Sequence, residues 1–186
     1  MNIKVVENAD ELMKAFLVRA IVYMHEQDCP YEEEFDLNDY SATQIVGLIG
    51  PEPILTARIR YVGRAAKLER LAVRDKYRGA GHGHQLLKFL ITFCQKKGLN
   101  RLYLHAQARL QPFYESYGFR RVRGDFNFSD HAYIEMVVDL PARLDALSLD
   151  DAPLVINRPE GHLDQPGPME ASLDRIPAKI MAAEGV

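Results

Sequence analysis

Residues 68–90 read LERLAVRDKYRGAGHGHQLLKFL, an apolar strand that runs into three alternating glycines and then into a helix. Leu71-Ala72-Val73 close the strand, and Leu86, Leu87, Leu90, Ile91 and Cys94 recur at helical spacing over Gln85–Lys97. Gly98 stands where a helix C-cap belongs. Glycines allow close backbone approach and unusual dihedrals, and the free N–H groups and positive dipole end of the helix N-terminus attract an anion. Arg78 adds a fork of donors. The layout therefore suits a phosphate. Two better-known glycine loops do not fit: no Gly-Lys-Ser/Thr ending is present, and the G-x-G-x-x-G fingerprint fails because His84 and Leu86 stand where its last glycine is required.

Around this unit the chain alternates short strands and helices. Ile3–Glu7 reads as a strand, and Asn8 or Asp10 caps a helix to about Gln27 carrying Leu12, Phe16, Ala20 and Tyr23. A polar, acidic loop spans Asp28–Tyr40, of the kind that is usually solvated. Ala42–Ile49 and Ile54–Val62 are strands joined through Gly50-Pro51-Glu52-Pro53, and Ala66–Val73 follows. Arg101–His105 is a strand, Leu110–Tyr117 a short helix stopped by Gly118, and Phe119–Arg123 with Ala132–Asp139 complete an α+β domain over residues 1–140. Beyond Pro141 five more prolines fall in a stretch of little periodicity, so residues 141–186 read as a Pro-rich C-terminal extension.

Composition bounds the function. With 47% hydrophobic and 26% charged residues, the chain fits one globular core and neither a disordered nor a membrane class. A net charge of −3 argues against a nucleic-acid partner. The N-terminus lacks an apolar signal core and no stretch approaches a membrane span, so a cytoplasmic location and no membrane partner are expected. Cys29 and Cys94 lie in different contexts without metal-type spacing, which favours reduced thiols. His82 and His84 form an H-x-H pair, but a metal there would compete with a phosphate, so no metal is expected.

At this point the sequence resembles the GNAT superfamily of N-acyltransferases. Its R-x-x-G-x-G/A signature is met by Arg78, Gly81 and Gly83, and its Tyr-x-x-x-Gly-Phe element by Tyr114–Phe119, about thirty residues later. The ElaA-like branch is similar in finer detail, through Glu26–Tyr31, through His105-Ala106-Gln107-Ala108-Arg109-Leu110-Gln111 and through His131. The resemblance covers roughly residues 2–140 and implies a mixed, mostly antiparallel splayed sheet flanked by helices. It implies acetyl-CoA as co-substrate and an amine, small-molecule or peptide, as acceptor. The pantetheine arm would pair with Leu71, Ala72 and Val73, and the pyrophosphate would lie on Arg78, Gly79, Ala80, Gly81, His82 and Gly83, with Gln107 nearby. Tyr114 would protonate the leaving thiolate. A thiol near pKa ~8.5 and a phenol near ~10 make that transfer feasible.

The amine must be neutral to attack, so a base or water chain is needed. Glu69 is the first candidate, with His105 and His131 behind it. The acidic run containing Glu33, together with Asp28, would attract a cationic amine, and in the resembled fold that loop borders the acceptor side. Two other functions share the architecture: a longer-chain acyl transferase of the acyl-homoserine lactone synthase kind, and a non-catalytic acyl-CoA-binding module. For the extension, Leu173, Ile176, Ile180 and Met181 suggest an apolar face. It would dock on a second subunit to make a homodimer or lie across its own domain near the acceptor cleft, the former being favoured.

Overall fold

The computed structural model describes residues 1–173, so Ile176, Ile180 and Met181 lie outside the described residues. The chain runs β1 (Asn2–Val5), α1 (Ala9–Arg19), α2 (Tyr31–Glu34), β2 (Thr43–Ile49), β3 (Glu52–Val62), β4 (Ala65–Val73) and α3 (His82–Lys96). It continues through β5 (Arg101–Gln107), α4 (Gln111–Glu115), β6 (Arg120–Arg121), β7 (Phe126–Phe128), β8 (His131–Asp139) and α5 (Pro168–Ala171). The sheet order is β1-β2-β3-β4-β5-β8-β6, with β7 on β8. All neighbours are antiparallel except β4 and β5. This is the mixed, mostly antiparallel sheet that the resemblance implies, with helices on both faces.

Adjacent β4 residues point to opposite faces. Leu71 and Val73 pack with Leu86, Leu87 and Leu90 of α3, while Ala72 packs with Val18 and Val22 on the other side. Asn8 caps α1 by accepting from the Glu11 amide at 2.9 Å. The expected single helix to Gln27 is instead α1 followed by a π-helical turn over Ala20–His25, closed by Glu26 N–H donating to the Ile21 carbonyl at 3.0 Å. The most buried stripe is Ala15, Val18, Arg19 and Val22, rotated from the apolar positions Leu12, Phe16, Ala20 and Tyr23. Arg19 causes the rotation, because it is fully buried yet finds Glu34 and Asp39, each at 2.5 Å.

Three further boundaries differ from the sequence reading. The β2–β3 hairpin turns on Gly50-Pro51 alone, and Pro53 already lies within β3, opposite Leu48 beside a bulge at Gly47/Leu48 that spares it a ladder bond. Residues 126–128 form an additional strand on β8. The acidic loop holds α2 and is only partly solvated: Glu34 is fully buried, while Asp36 and Asp39 pair with Arg58 at 2.7 and 2.8 Å.

Residues 141–173 run along the C-terminal end of α3. Leu147 N–H donates to the Lys96 carbonyl at 2.7 Å, Gln95 donates to the Pro141 carbonyl at 2.9 Å, and His162 meets Glu7 at 2.9 Å. Lys96 and Lys97 pair with Asp164 and Glu160, and Leu163 packs on the core. The described extension therefore lies on its own domain, but at the end of α3 remote from its glycine-rich N-terminus. Leu173 is exposed.

Candidate active site

β4 and β5 pair only from Ala65↔Arg101 to Leu68↔Leu104. Beyond that point β4 follows β3 and β5 follows β8, so the two strands diverge. The departure has a local cause. Arg58 faces Glu69 and Thr56 faces Ala72, leaving Arg70 and Leu71 against Ala57 in a β-bulge, with Arg70 at φ 55°. This non-glycine residue is held left-handed by bonds from its guanidinium to the carbonyls of Glu33 (2.6 Å) and Glu34 (3.2 Å).

The gap opens into a cleft of about 1030 Å³. One wall carries Leu71, Ala72 and Val73, and Tyr23 from the π-helical turn donates its hydroxyl to the Leu71 carbonyl at 3.0 Å. One end is the loop into α3, where Gly79 and Gly81 have φ of 76° and 80°, conformations that a side chain would strain. The first intrahelical bond runs from Gln85 N–H to the Gly81 carbonyl (3.1 Å) and no side chain caps the helix. The amides of His82, Gly83 and His84 are thus left without helical partners, the arrangement an anion fills. Arg78, Gly79, Gly81, His82 and Gly83 line the cleft, and Ala80 does not.

Arg78 was expected to offer its fork to the anion. It instead binds the Val73 carbonyl (2.8 Å), Asp75 (3.2 Å) and Glu26, fastening the loop to the end of β4 and to the π-helical turn. The histidines also have local partners: His82 with Gln85 at 3.3 Å and His84 with the Tyr117 hydroxyl at 2.9 Å. Of the two neighbouring tyrosines, Tyr114 on α4 lines the cleft and Tyr117, in the turn after it, supports His84.

Tyr114 is 6% exposed, and burial pushes its phenol up to about 12. Glu69 and His105 line the same cleft. Burial raises the Glu69 pKa, but Lys67 at 2.7 Å and Arg58 at 2.7 Å outweigh it and hold the carboxyl below its ordinary range. Burial and then the Lys67 charge lower the pKa of His105. Gln107 is on the wall and donates to Gln27 at 2.9 Å, and Glu33 is on the wall and accepts from Ser129. Asp28 and His131 are not brought to the cleft. Asp28 is an exposed loop residue at φ 53°, and His131 begins β8 opposite Phe128 with its Nε2 buried and unpartnered.

Sequence reasoning passed over Tyr23, Arg58, Arg70, Phe126, Phe128 and Tyr133, all on the cleft wall. For Arg58 a signal existed, since an arginine inside an apolar strand run demands buried partners. The aromatics of β7 gave none, because a three-residue strand has no periodicity to read.

The model of the acetyltransferase (GNAT) domain matches residues 10–140. The chain belongs to the GNAT acetyltransferase family. As a family member it is an acyl-CoA-dependent N-acyltransferase of the ElaA-like branch. It is 34% identical over 120 residues to the uncharacterized N-acetyltransferase YjcF of Bacillus subtilis, covering 64% of this chain and 86% of that one. Protein ElaA of Escherichia coli is 30% identical over 118 residues, 60% of this chain and 76% of ElaA. The ElaA crystal structure superposes with a TM-score of 0.68 at 27% identity over 74% of this chain and 99% of ElaA. An acyl-CoA N-acyltransferase from Pseudomonas aeruginosa shares the fold, with a TM-score of 0.68 at 24% identity over 74% and 99% of the two chains. No helix among the described residues is long and apolar enough to cross a membrane.

Proposed function

We propose that this GNAT enzyme moves an acetyl group from acetyl-CoA to a primary amine by direct attack in a ternary complex, with Tyr114 as general acid and His105 as general base. The observation that carries the reading is convergence on one cleft: the unpaired stretch of β4, the uncapped N-terminus of α3, Tyr114 and His105 all line it. The pantetheine would pair with the open backbone of Leu71–Val73 and the pyrophosphate would take the free amides of the glycine loop.

Two protons leave the acceptor nitrogen, which enters as an ammonium. His105 takes one and passes it to solvent. The neutral nitrogen attacks the thioester carbon, the C–S bond breaks, and Tyr114 protonates the thiolate and regains its proton from the second N–H. A phenol near 12 is about three units weaker than a thiol near ~8.5, so Tyr114 hydrogen-bonds the thiolate while the bond stretches and completes transfer as its own proton is replaced. Glu69, the first-ranked base from sequence, is the poorer choice because three cations, Arg58, Lys67 and Arg60, share its carboxylate. The acidic run is likewise mostly committed, since Glu34 and Asp36 answer Arg19, Arg58 and Arg70; only Glu32 and Glu33 remain on the wall to meet a cationic amine.

Gly83→Glu tests the cofactor site. Gly83 has a helical backbone, and a Cβ there meets only Phe113 Cζ at 3.9 Å, so the substitution adds charge without strain. A folded variant is expected to lose acetyl-CoA binding by calorimetry, and unchanged affinity would remove the pyrophosphate from this loop.

A further inference from the structure

Tyr103, His105 and Glu135 form a hydrogen-bonded line on the sheet face beside the cleft. Tyr103 and His105 are two apart on β5 and share a face, and Glu135 of β8 is the direct cross-strand partner of His105. The Tyr103 hydroxyl lies 2.5 Å from Glu135 Oε2 and 2.7 Å from His105 Nε2. An ionised carboxylate only accepts and a phenol has one proton, so the Tyr103 hydrogen goes to Glu135. The contact with His105 can then be filled only by an N–H. We infer that Tyr103 and Glu135 are positioning residues that hold His105 as its Nε2–H tautomer and leave the Nδ1 lone pair to take the acceptor's proton.

This rests on the reading of His105 as the base. Every neighbouring element bears on it. Lys67 of β4 opposes a charge on the ring, whereas Glu69 of β4 and Glu135 of β8 favour one. The Phe126 ring of β7 stands at 74° to the imidazole, centroids 5.0 Å apart, and stacks on Tyr133 of β8. Arg123 reaches Glu135 at 4.0 Å. In the resting enzyme the ring is neutral. Once Nδ1 takes a proton, the imidazolium Nε2–H tightens against Tyr103 and Tyr103 against Glu135, so the new charge is stabilised through the line without Glu135 being protonated. A second function of the same bonds is to keep the ring from rotating its two nitrogens out of place.

The test uses the full chain with ¹⁵N-labelled histidine. Long-range ¹H–¹⁵N spectra of the wild type at pH 7.5 are expected to show His105 neutral and protonated at Nε2, and Tyr103→Phe to give a tautomer mixture. Thiol release from acetyl-CoA is followed with glycylglycine, spermidine and N-α-acetyl-lysine as acceptors. Tyr103→Phe and Glu135→Gln are expected to lower kcat about tenfold, move the acid limb of the pH profile and leave the acetyl-CoA KM unchanged. Added to His105→Gln, either should cost nothing more, as residues acting through one group are not additive. An Nδ1–H ring in the wild type, or a tautomer and pH limb untouched by Tyr103→Phe, overturns the inference. Full turnover in His105→Gln would instead sink the base reading on which it stands. If none of the three amines is acetylated, the wild-type and Tyr103→Phe spectra decide alone.

Discussion

Tyr114 illustrates how far one side chain's chemistry depends on its surroundings. Its offset from Gly118-Phe119 singled it out in the sequence, and packing against Phe113 and Phe119 then keeps it dry and protonated across neutral pH. Tyr114→Phe preserves that packing and removes only the hydroxyl. Turnover is expected to fall about 10²–10⁴-fold with little change in acetyl-CoA affinity, because an acid acts chiefly in the transition state. Steady-state thiol release alongside calorimetry checks this, and full activity in the variant would hand the proton to water. As the proposed base, His105 is expected to set the pH dependence. Its lowered pKa means the base is lost only as pH falls through a value below the ordinary ~6.5. An acid limb of kcat/KM at or above that value would point to another base.

Among the elements, the π-helical turn and the β4 bulge act as a pair. One extra residue in the turn brings Tyr23 to the Leu71 carbonyl, and one extra residue in β4 turns that carbonyl toward it. Tyr23 is half-buried, and desolvation followed by the Glu34 charge pushes its phenol well above the usual range, so it serves as a fixed donor. Tyr23→Phe leaves the Leu71 carbonyl without this partner. An expected loss of about 0.5–1.5 kcal/mol, with weaker acetyl-CoA binding, is read from urea unfolding and calorimetry. Unchanged values in both would show that the bulge is held by Arg70 and the β3 ladder alone.

The molecule as a whole is held by a charge network that crosses α1, the acidic loop, β3 and β4. Burial raises the carboxyl pKa values of Asp36, Asp39 and Glu69, but Arg58, Arg19 and Lys67 outweigh it, and all three end below their ordinary range. For a depressed carboxyl the stabilisation is complete above its unfolded value near ~4 and is lost as pH falls through the folded value. Tm is therefore expected to fall steeply below pH ~4, and Asp36→Asn to flatten that fall. A variant whose Tm follows the wild-type slope from pH 5 to 2 would exclude Asp36 from the acid transition. Arg58 is the hub, pairing with Asp36, Asp39 and Glu69 at once.

Local patterns determined the strand–glycine loop–helix unit, the order of most elements and the family, and pointed to the proposed cofactor end of the cleft, because each depends on short-range periodicity, turn chemistry and a motif of adjacent residues. Tertiary structure alone decided the rest. Sequence alternation placed Glu69 near the chemistry but could not show that Arg58, Arg60 and Lys67 converge on it, since these partners come from two strands whose register includes a bulge. It ranked Arg78 as an anion ligand, whereas Glu26, fifty-two residues earlier, claims its guanidinium. The Tyr103–Glu135 contact spans thirty-two residues and exists only because β8 returns beside β5. Which groups neutralise, orient or desolvate one another depends on distances between strands remote in the chain, and a linear pattern does not contain them.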